Sequence, residues 1–328
     1  MTTPIAFTPE PFKPPFWLSN PHLQTILPKF IMPEPPPYRR SLALDSRDES
    51  DIAYDFYDAD EPTPAEGERY QTPLIVLFHG LEGSSKSHYA RTLAYYVHAQ
   101  GWHLVVAHFR SCGGMPARGK IFYEAGDTLE IHHTLQYLSK HYAHIHAVGT
   151  SLGGSVLAKY MGEYGDDAKC QSAAIVSAPL DLASSSIAMD RLFGRKIYTP
   201  YLLNPIVAKA LEHHLSHDEI AGVKASRRLS DFDHVFTAPR HGYRSKNDYY
   251  HKASAMPFLH KISKPTLIIT AKDDPFLGIV PDVGDISDNV VLCEPKHGGH
   301  IGFLTWHNKK FNTDWYPKTV MQFFTKYP

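Results

Sequence analysis

The chain has 328 residues, 43% of them hydrophobic and 12% aromatic, which is enough to bury a large core. Its 33 Lys and Arg against 34 Asp and Glu leave a formal charge of -1, so it lacks the basic footprint that binding nucleic acid requires. The three cysteines, Cys112, Cys170 and Cys293, are odd in number and show no C-x-x-C spacing; this argues against a disulfide framework or a thiolate metal site and fits a reducing compartment.

In chain order, residues 1–40 are proline-rich, ending in Pro33-Glu34-Pro35-Pro36-Pro37, and predict an extended arm with at most a short helix. Residues 1–15 lack a basic stretch followed by an apolar core, and no later run reaches the uninterrupted apolar length of a membrane span, so a cytoplasmic protein is expected. Phe16-Trp17-Leu18 reads as an apolar arm sealed against its own domain, with peripheral membrane contact as the alternative. Strands are predicted near 41–44, 52–57 and 74–78, with an exposed turn at 61–67. A helix follows over 89–100, then a strand over 103–108 and a helix over 127–141 with Asp127 as its N-cap. A strand at 145–148, a helix at 152–163 and a strand at 172–177 continue the alternation. Strands alternating with helices predict a mainly parallel, doubly wound α/β sheet covered on both faces.

Between residues 180 and 260 the alternation stops. Helix-like pieces at 181–193, 205–217 and 248–259 flank a loop-like stretch containing Asp231-Phe232-Asp233. The expected organisation is an extended arm (1–45), a first part of the core (46–179), a helical cap insertion (180–262) and a second part of the core (263–328). Among the cap aromatics, Phe193, Tyr198, Tyr201, Phe236 and Tyr243 are candidates for lining a pocket, although most such residues serve to glue cap to core.

The stretch Gly149-Thr150-Ser151-Leu152-Gly153 carries the chemistry. A G-x-S-x-G pentapeptide between an apolar strand and a helix meets the requirements of a nucleophile elbow, a sharp turn that leaves the serine hydroxyl exposed. Serine is a poor nucleophile near neutral pH and needs a base and an acid to orient that base. The predicted strand at 265–270 opens into Asp273-Asp274-Pro275-Phe276, and the strand at 289–293 delivers His297-Gly298-Gly299-His300. The order Ser, Asp, His, each on a loop after a strand, is the triad order of α/β-hydrolases. Asp274 is preferred to Asp273 as the acid because Pro275 forces it toward extended backbone and because its D-P-F-L context matches the acid loop of this fold class. Asp273 is expected to point elsewhere, toward amides of its own turn. After the apolar strand at 74–78, His79-Gly80-Leu81-Glu82-Gly83 is where amides can face a developing negative charge, so the Leu81 and Leu152 amides are the expected oxyanion donors. His79 is read as stabilising the turn.

With these residues in place, the chain resembles the YheT-type branch of the α/β-hydrolases (AB hydrolase family 4) nearly from end to end. The resemblance lies in Trp17-Leu18-Ser19-Asn20-Pro21-His22-Leu23-Gln24-Thr25, in residues 79–85, in His108-Phe109-Arg110, in 149–154, in Thr237-Ala238-Pro239, in 271–276 and in 297–303. It implies a hydrolase of carboxylic esters with Ser151, an aspartate of the Asp273-Asp274 pair and His300 as triad, and acyl-lipid or other small ester substrates. One departure is Ser111, where the family more often places glycine directly after the arginine; this leaves the shape of that loop open.

The expected reaction is two-step acyl transfer to water through an acyl-enzyme, with no metal or organic cofactor. An acyltransferase or thioesterase using the same triad and a catalytically silent, ligand-binding scaffold are the alternatives. Of the 21 histidines, His213 and His217 are spaced to share a helix face as zinc ligands can, but no carboxylate or cysteine completes a set. His213 and Asp218 also match an H-x4-D spacing, a match expected by chance in so histidine-rich a chain.

Overall fold

The computed structural model describes residues 5–328. Among them ten strands form: β1 (Arg39–Leu44), β2 (Asp51–Tyr57), β3 (Leu74–Phe78), β4 (His103–Ala107), β5 (Ile145–Thr150), β6 (Ser172–Val176), β7 (Thr266–Ile269), β8 (Val290–Cys293), β9 (Thr305–His307) and β10 (Lys310–Asn312). The first eight make one sheet in the order β1-β2-β4-β3-β5-β6-β7-β8. From β4 to β8 every pairing is parallel, while β1 and β2 are antiparallel additions at one edge. β3 to β6 are buried along their whole length, as strands covered on both faces must be, and their apolar runs reflect it. β1, at the edge, alternates between exposed and half-buried.

The helices are α1 (Pro21–Ile26), α2 (His88–Ala99), α3 (Thr128–Ser139), α4 (Leu152–Tyr164), α5 (Leu182–Met189), α6 (Thr199–Ala210), α7 (His217–Ala225), α8 (Leu229–Phe232), α9 (Ala238–Arg240), α10 (Lys246–Ala253) and α11 (Trp315–Lys326). Successive strand residues face opposite sides, so the sheet builds two cores. Val76, Phe78, Val105 and Ala147 pack with α3 and α4, whereas Ile75, Leu77, Val106 and Val148 pack with α2 and α11. On α11, Tyr316, Val320, Phe323 and Phe324 recur at helical spacing and are buried, each worth about 1.5–3 kcal/mol of transfer from water.

The chain leaves β3 for β4 on one side and returns to β5 on the other, so the connections after β3 and β5 diverge. That switch point opens a crevice at the carboxyl ends of these strands, where ligands bind in sheets of this kind. Both Leu81 and Ser151 follow these two strands.

The segment between β6 and β7 differs in detail from the sequence reading. The helix expected at 205–217 is α6, which begins at Thr199, carries Pro205 inside it and stops at Ala210. His213 lies beyond its end and His217 opens α7, so the two do not share a helix face. Asp231-Phe232-Asp233 is helical, running from α8 into a π-turn at Asp233–Thr237; at the start of α8 the Asp231 carboxylate accepts the Arg227 and Arg228 amides at 3.0 Å each. The β9–β10 hairpin and α11 complete the chain.

A candidate active site at the sheet switch point

Ser151 sits at φ 52°, ψ -121°, between β5 and α4. This strained conformation is what lifts a side chain out of a strand-to-helix turn. Glycines flank it because the backbones approach closely: a Cβ on Gly149 would collide with the Gly153 carbonyl, and one on Gly153 with the Phe78 carbonyl. A cluster of positive φ angles lies nearby at Glu82, Ser177, Ile301 and Phe303.

The structure brings Ser151, Asp274 and His300 together. The His300 ring has Nε2 3.0 Å from Ser151 Oγ and Nδ1 2.9 Å from the Asp274 carboxylate. A carboxylate only accepts, so Nδ1 carries the proton and donates it to Asp274, which leaves Nε2 to accept from the serine hydroxyl. Asp274 also accepts from the Phe276 amide at 2.9 Å, and the Phe276 ring stacks on the His300 imidazole with centroids 4.0 Å apart. Asp274 and His300 are both buried. Asp273 points away, as expected, but not to its own turn: it accepts from the Gly299 amide at 3.0 Å and faces His297 Nδ1 at 3.3 Å, tying the acid loop to the histidine loop. Burial raises the Asp273 carboxyl above its ordinary range.

Leu81 and Leu152 both border the space in front of Ser151, and neither amide forms a hydrogen bond with another of the described residues. The turn holding Leu81 is braced on several sides. Gly80 donates its amide to Tyr89 Oη at 2.9 Å, Glu82 donates its amide to Tyr123 Oη at 3.0 Å, and Tyr123 donates back to the Glu82 carboxylate at 2.7 Å. Lys209 on α6 reaches the same carboxylate at 2.8 Å. His79 holds the turn from beneath, with Nδ1 donating to Gly80 O at 2.7 Å and Nε2 accepting the Phe109 amide. Burial, then the neighbouring His108, lowers it to about 3, so it stays neutral.

Directly after Arg110 the backbone turns without a glycine. Ser111 itself takes φ 61°, the left-handed region a glycine would occupy. Arg110 is buried and anchors the loop by bonding Asp45 at 2.6 Å together with Asp127 and Glu130.

The amino-terminal motif proves to be part of the site's support. Gln24, wholly buried on α1, donates to the carbonyls of Leu18 and Leu304 at 2.9 Å each and accepts the Leu304 amide at 2.7 Å. Thr25 Oγ1 accepts the His300 amide at 2.9 Å. A Cβ on Gly302 would collide with the Gln24 carbonyl, so the G-x-x-G spacing of the histidine loop fits the surface of α1. His22 stacks on Phe193 with centroids 3.7 Å apart and bonds Tyr198 Oη at 2.8 Å, joining α1 to the helical insertion. The sequence marked this motif by resemblance but offered no role for it, since nothing local says that residue 24 meets residue 304.

Two chambers open on Ser151 and His300. One is largely apolar, walled by Leu152, Leu182, Met189, Leu202, Ile206 and Phe232. The other is more polar and includes Lys29, Lys86, Ser84, His88 and Tyr201. Burial lowers His88 to about 4. In the apolar wall, the Asp233 carboxyl accepts from Tyr250 and Thr237 at 2.8 Å each, and burial raises it to about 6. Of the cap aromatics expected at a pocket, Tyr198 and Tyr201 do line the polar chamber. Phe236 and Tyr243 do not line either chamber: Phe236 packs on Phe122 and Phe232, and Tyr243 on Tyr249. Both sit in the joint between insertion and core, Phe236 fully buried and Tyr243 partly so, with Tyr243 Oη reaching the Glu124 carboxylate.

A family profile described as the alpha/beta hydrolase fold matches residues 73–305. The Escherichia coli protein YheT, named as an esterase, is 39% identical over 297 residues, covering 87% of this chain and 85% of that protein. The chain belongs to the α/β-hydrolase family, in its YheT-type branch. Medium-chain fatty acid ethyl ester synthase/esterase 2 of Saccharomyces cerevisiae is 29% identical to this α/β-hydrolase over 288 residues, 78% of this chain and 62% of that one. Among solved structures, an esterase of Pyrococcus furiosus superposes with a TM-score of 0.55 at 14% identity, covering 88% of this chain and 91% of that one, which shows the shared fold. Among the described residues no helix is long and apolar enough to cross a membrane.

Proposed function

We propose that this α/β-hydrolase is a serine esterase that cleaves carboxylic esters of acyl-lipid type through an acyl-Ser151 intermediate. The observation that carries the reading is the unbroken line from the Asp274 carboxylate through both nitrogens of His300 to Ser151 Oγ. The esterase and ester-synthase names of its relatives support the same chemistry.

In this reading His300 Nε2 takes the Ser151 proton as Oγ attacks the ester carbonyl, and Asp274 stabilises the imidazolium that forms. The amides of Leu81 and Leu152 hold the tetrahedral oxyanion; such a donor is worth about 10²–10³ in turnover. Collapse expels the alcohol with the proton from His300, and water then repeats the sequence on the acyl-enzyme, regenerating Ser151. The apolar chamber takes the acyl chain, the polar chamber the alcohol. The insertion at 180–262 acts as the cap that shapes the acyl chamber, while the reacting groups stay in the core. The three cysteines, all free thiols and buried, support a cytoplasmic location. Covalent labelling of Ser151 by a fluorophosphonate, together with loss of ester hydrolysis in Ser151→Ala, tests the proposal; an unlabelled but folded wild-type chain would refute it.

A further inference from the structure

We propose that the face around the mouth of the polar chamber docks on an anionic lipid surface. The segment Arg191-Leu192-Phe193-Gly194-Arg195-Lys196-Ile197, which joins α5 to α6, turns its large apolar and its basic side chains outward together. Leu192 is 71% exposed, and Ile187, in the last turn of α5, is also 71% exposed. Arg191, Arg195 and Lys196 are exposed, and none of them takes part in an ion pair with another of the described residues; the neighbouring acid, Asp190, is bonded to Arg228 at 3.2 Å. Burial is the normal state of so many large apolar side chains, and a contiguous exposed patch of them marks an interaction surface.

The patch is continuous with the entrance to the site. Phe193 stacks on His22 of α1, and Lys29 lies 3.7 Å from the ring centroid of Tyr201, which is itself 60% exposed. Lys29 and Tyr201 wall the chamber that ends at Ser151. Phe30, next to Lys29, is 78% exposed. Apolar side chains that can enter the headgroup region, interleaved with cations that attract anionic headgroups, are what an interfacial segment requires.

Charge argues for lipid over a second copy of the chain. A two-fold contact centred on this segment would set the three cations of one copy against those of the other. A protein seated here would also cover the route to Ser151, whereas a lipid surface would present ester to it. The preference for lipid rests on the esterase reading where it concerns access to Ser151 but not where it concerns charge, because docking needs no turnover.

The test is co-sedimentation of the full chain with vesicles of phosphatidylcholine alone or mixed with phosphatidylglycerol, at low and high salt. Wild type is expected to pellet with the mixed vesicles and to be released as salt screens the attraction. Arg191→Glu/Arg195→Glu/Lys196→Glu should weaken binding about tenfold or more. Leu192→Asn/Ile197→Asn should weaken it even at low salt, which separates insertion from charge attraction alone. Thermal unfolding and hydrolysis of a soluble short-chain ester, unchanged in both variants, would show that fold and site are intact. Equal pelleting of wild type and both variants would overturn the proposal. So would a wild-type dimer in sedimentation velocity that Leu192→Asn/Ile197→Asn dissolves, since the face would then be a self-contact. Absence of ester hydrolysis in a wild-type chain that still binds vesicles would count against the esterase reading alone.

Discussion

The backbone N–H of His300 donates a 2.9 Å hydrogen bond to the hydroxyl oxygen of Thr25, across 275 positions of sequence. Thr25 in turn donates to the Pro21 carbonyl within α1 at 2.7 Å, so the amino-terminal arm sets the position of the histidine backbone while Asp274 and Phe276 set its ring. Thr25→Val keeps the shape and removes the acceptor. It should lower kcat about tenfold with KM little changed, because it disturbs alignment in the transition state and not substrate binding. Gln24→Ala strips partners from three buried backbone groups and should instead destabilise the fold, by roughly 2–4 kcal/mol in chemical denaturation. Wild-type kcat in folded Thr25→Val would show that the contact is incidental.

Substitutions in the acid and histidine loops should separate reacting groups from loop-shaping ones. Ser151→Ala and His300→Ala are expected to lose ester hydrolysis by roughly 10⁴-fold or more, and Asp274→Asn by about 10²–10⁴. Asp273→Asn and His297→Ala, which link loops without touching the serine, should stay within about tenfold of wild type. Steady-state kinetics on a soluble activated ester decides this; a larger loss for Asp273→Asn than for Asp274→Asn would reverse the acid assignment.

Acyl-chain preference should follow the walls of the apolar chamber. Ile206→Trp or Met189→Phe should move the optimum toward shorter acyl groups while acetyl ester hydrolysis changes little. The effect should be graded, since each methylene in such a pocket is worth about 1–3 kcal/mol. Phe236→Ala, by contrast, leaves a cavity against Phe122 and Phe232 and should cost about 3–5 kcal/mol of stability without changing the preference. A chain-length series of esters reads both. Equal losses across that series in the Ile206 and Met189 variants would mean that the insertion positions the triad and does not select the acyl group.

Glu124 offers a pH-dependent test of stability. Its buried carboxyl accepts from the Gly126 amide and from Tyr243, and burial, reinforced by the nearby Asp127, raises it from 4.5 to about 8. Below about pH 4 both the native and the unfolded chain hold this proton, so the residue has no effect on the balance. As pH rises, the unfolded chain ionises first, and native stability falls until about pH 8, beyond which the penalty is constant. Glu124→Gln removes the ionisation. It should therefore unfold at higher temperature than wild type at pH 8, by an amount on the order of 2–5 kcal/mol, with the difference shrinking toward pH 4. A difference that does not vary with pH would show that Glu124 is not buried in its neutral form.

Local sequence was enough to place the sheet and to single out Ser151, Asp274 and His300, which the fold brings together. Apolar runs such as 74–78 and 145–148 are too short for a buried helix and satisfy burial and backbone hydrogen bonding as strands, and Gly149 answers a collision with the Gly153 carbonyl only four residues away. Asp274 stood apart from Asp273 because proline restricts the residue directly before it. Ser111 shows the limit of such local reasoning: the loop needs φ 61°, and the network around Arg110 imposes it on a residue that does not favour it.

The rest was decided by contacts between distant parts of the chain. Which aromatics of the insertion line a chamber and which seal it to the core depends on how α6, α8 and the π-turns pack; Phe236 and Tyr201 look equally suited by type. The role of Gln24 and Thr25 arises only when α1 meets residues 299–304. Propensity and periodicity act over one or two turns of chain, whereas these hydrogen bonds join groups whose proximity is produced by burial of the whole sheet.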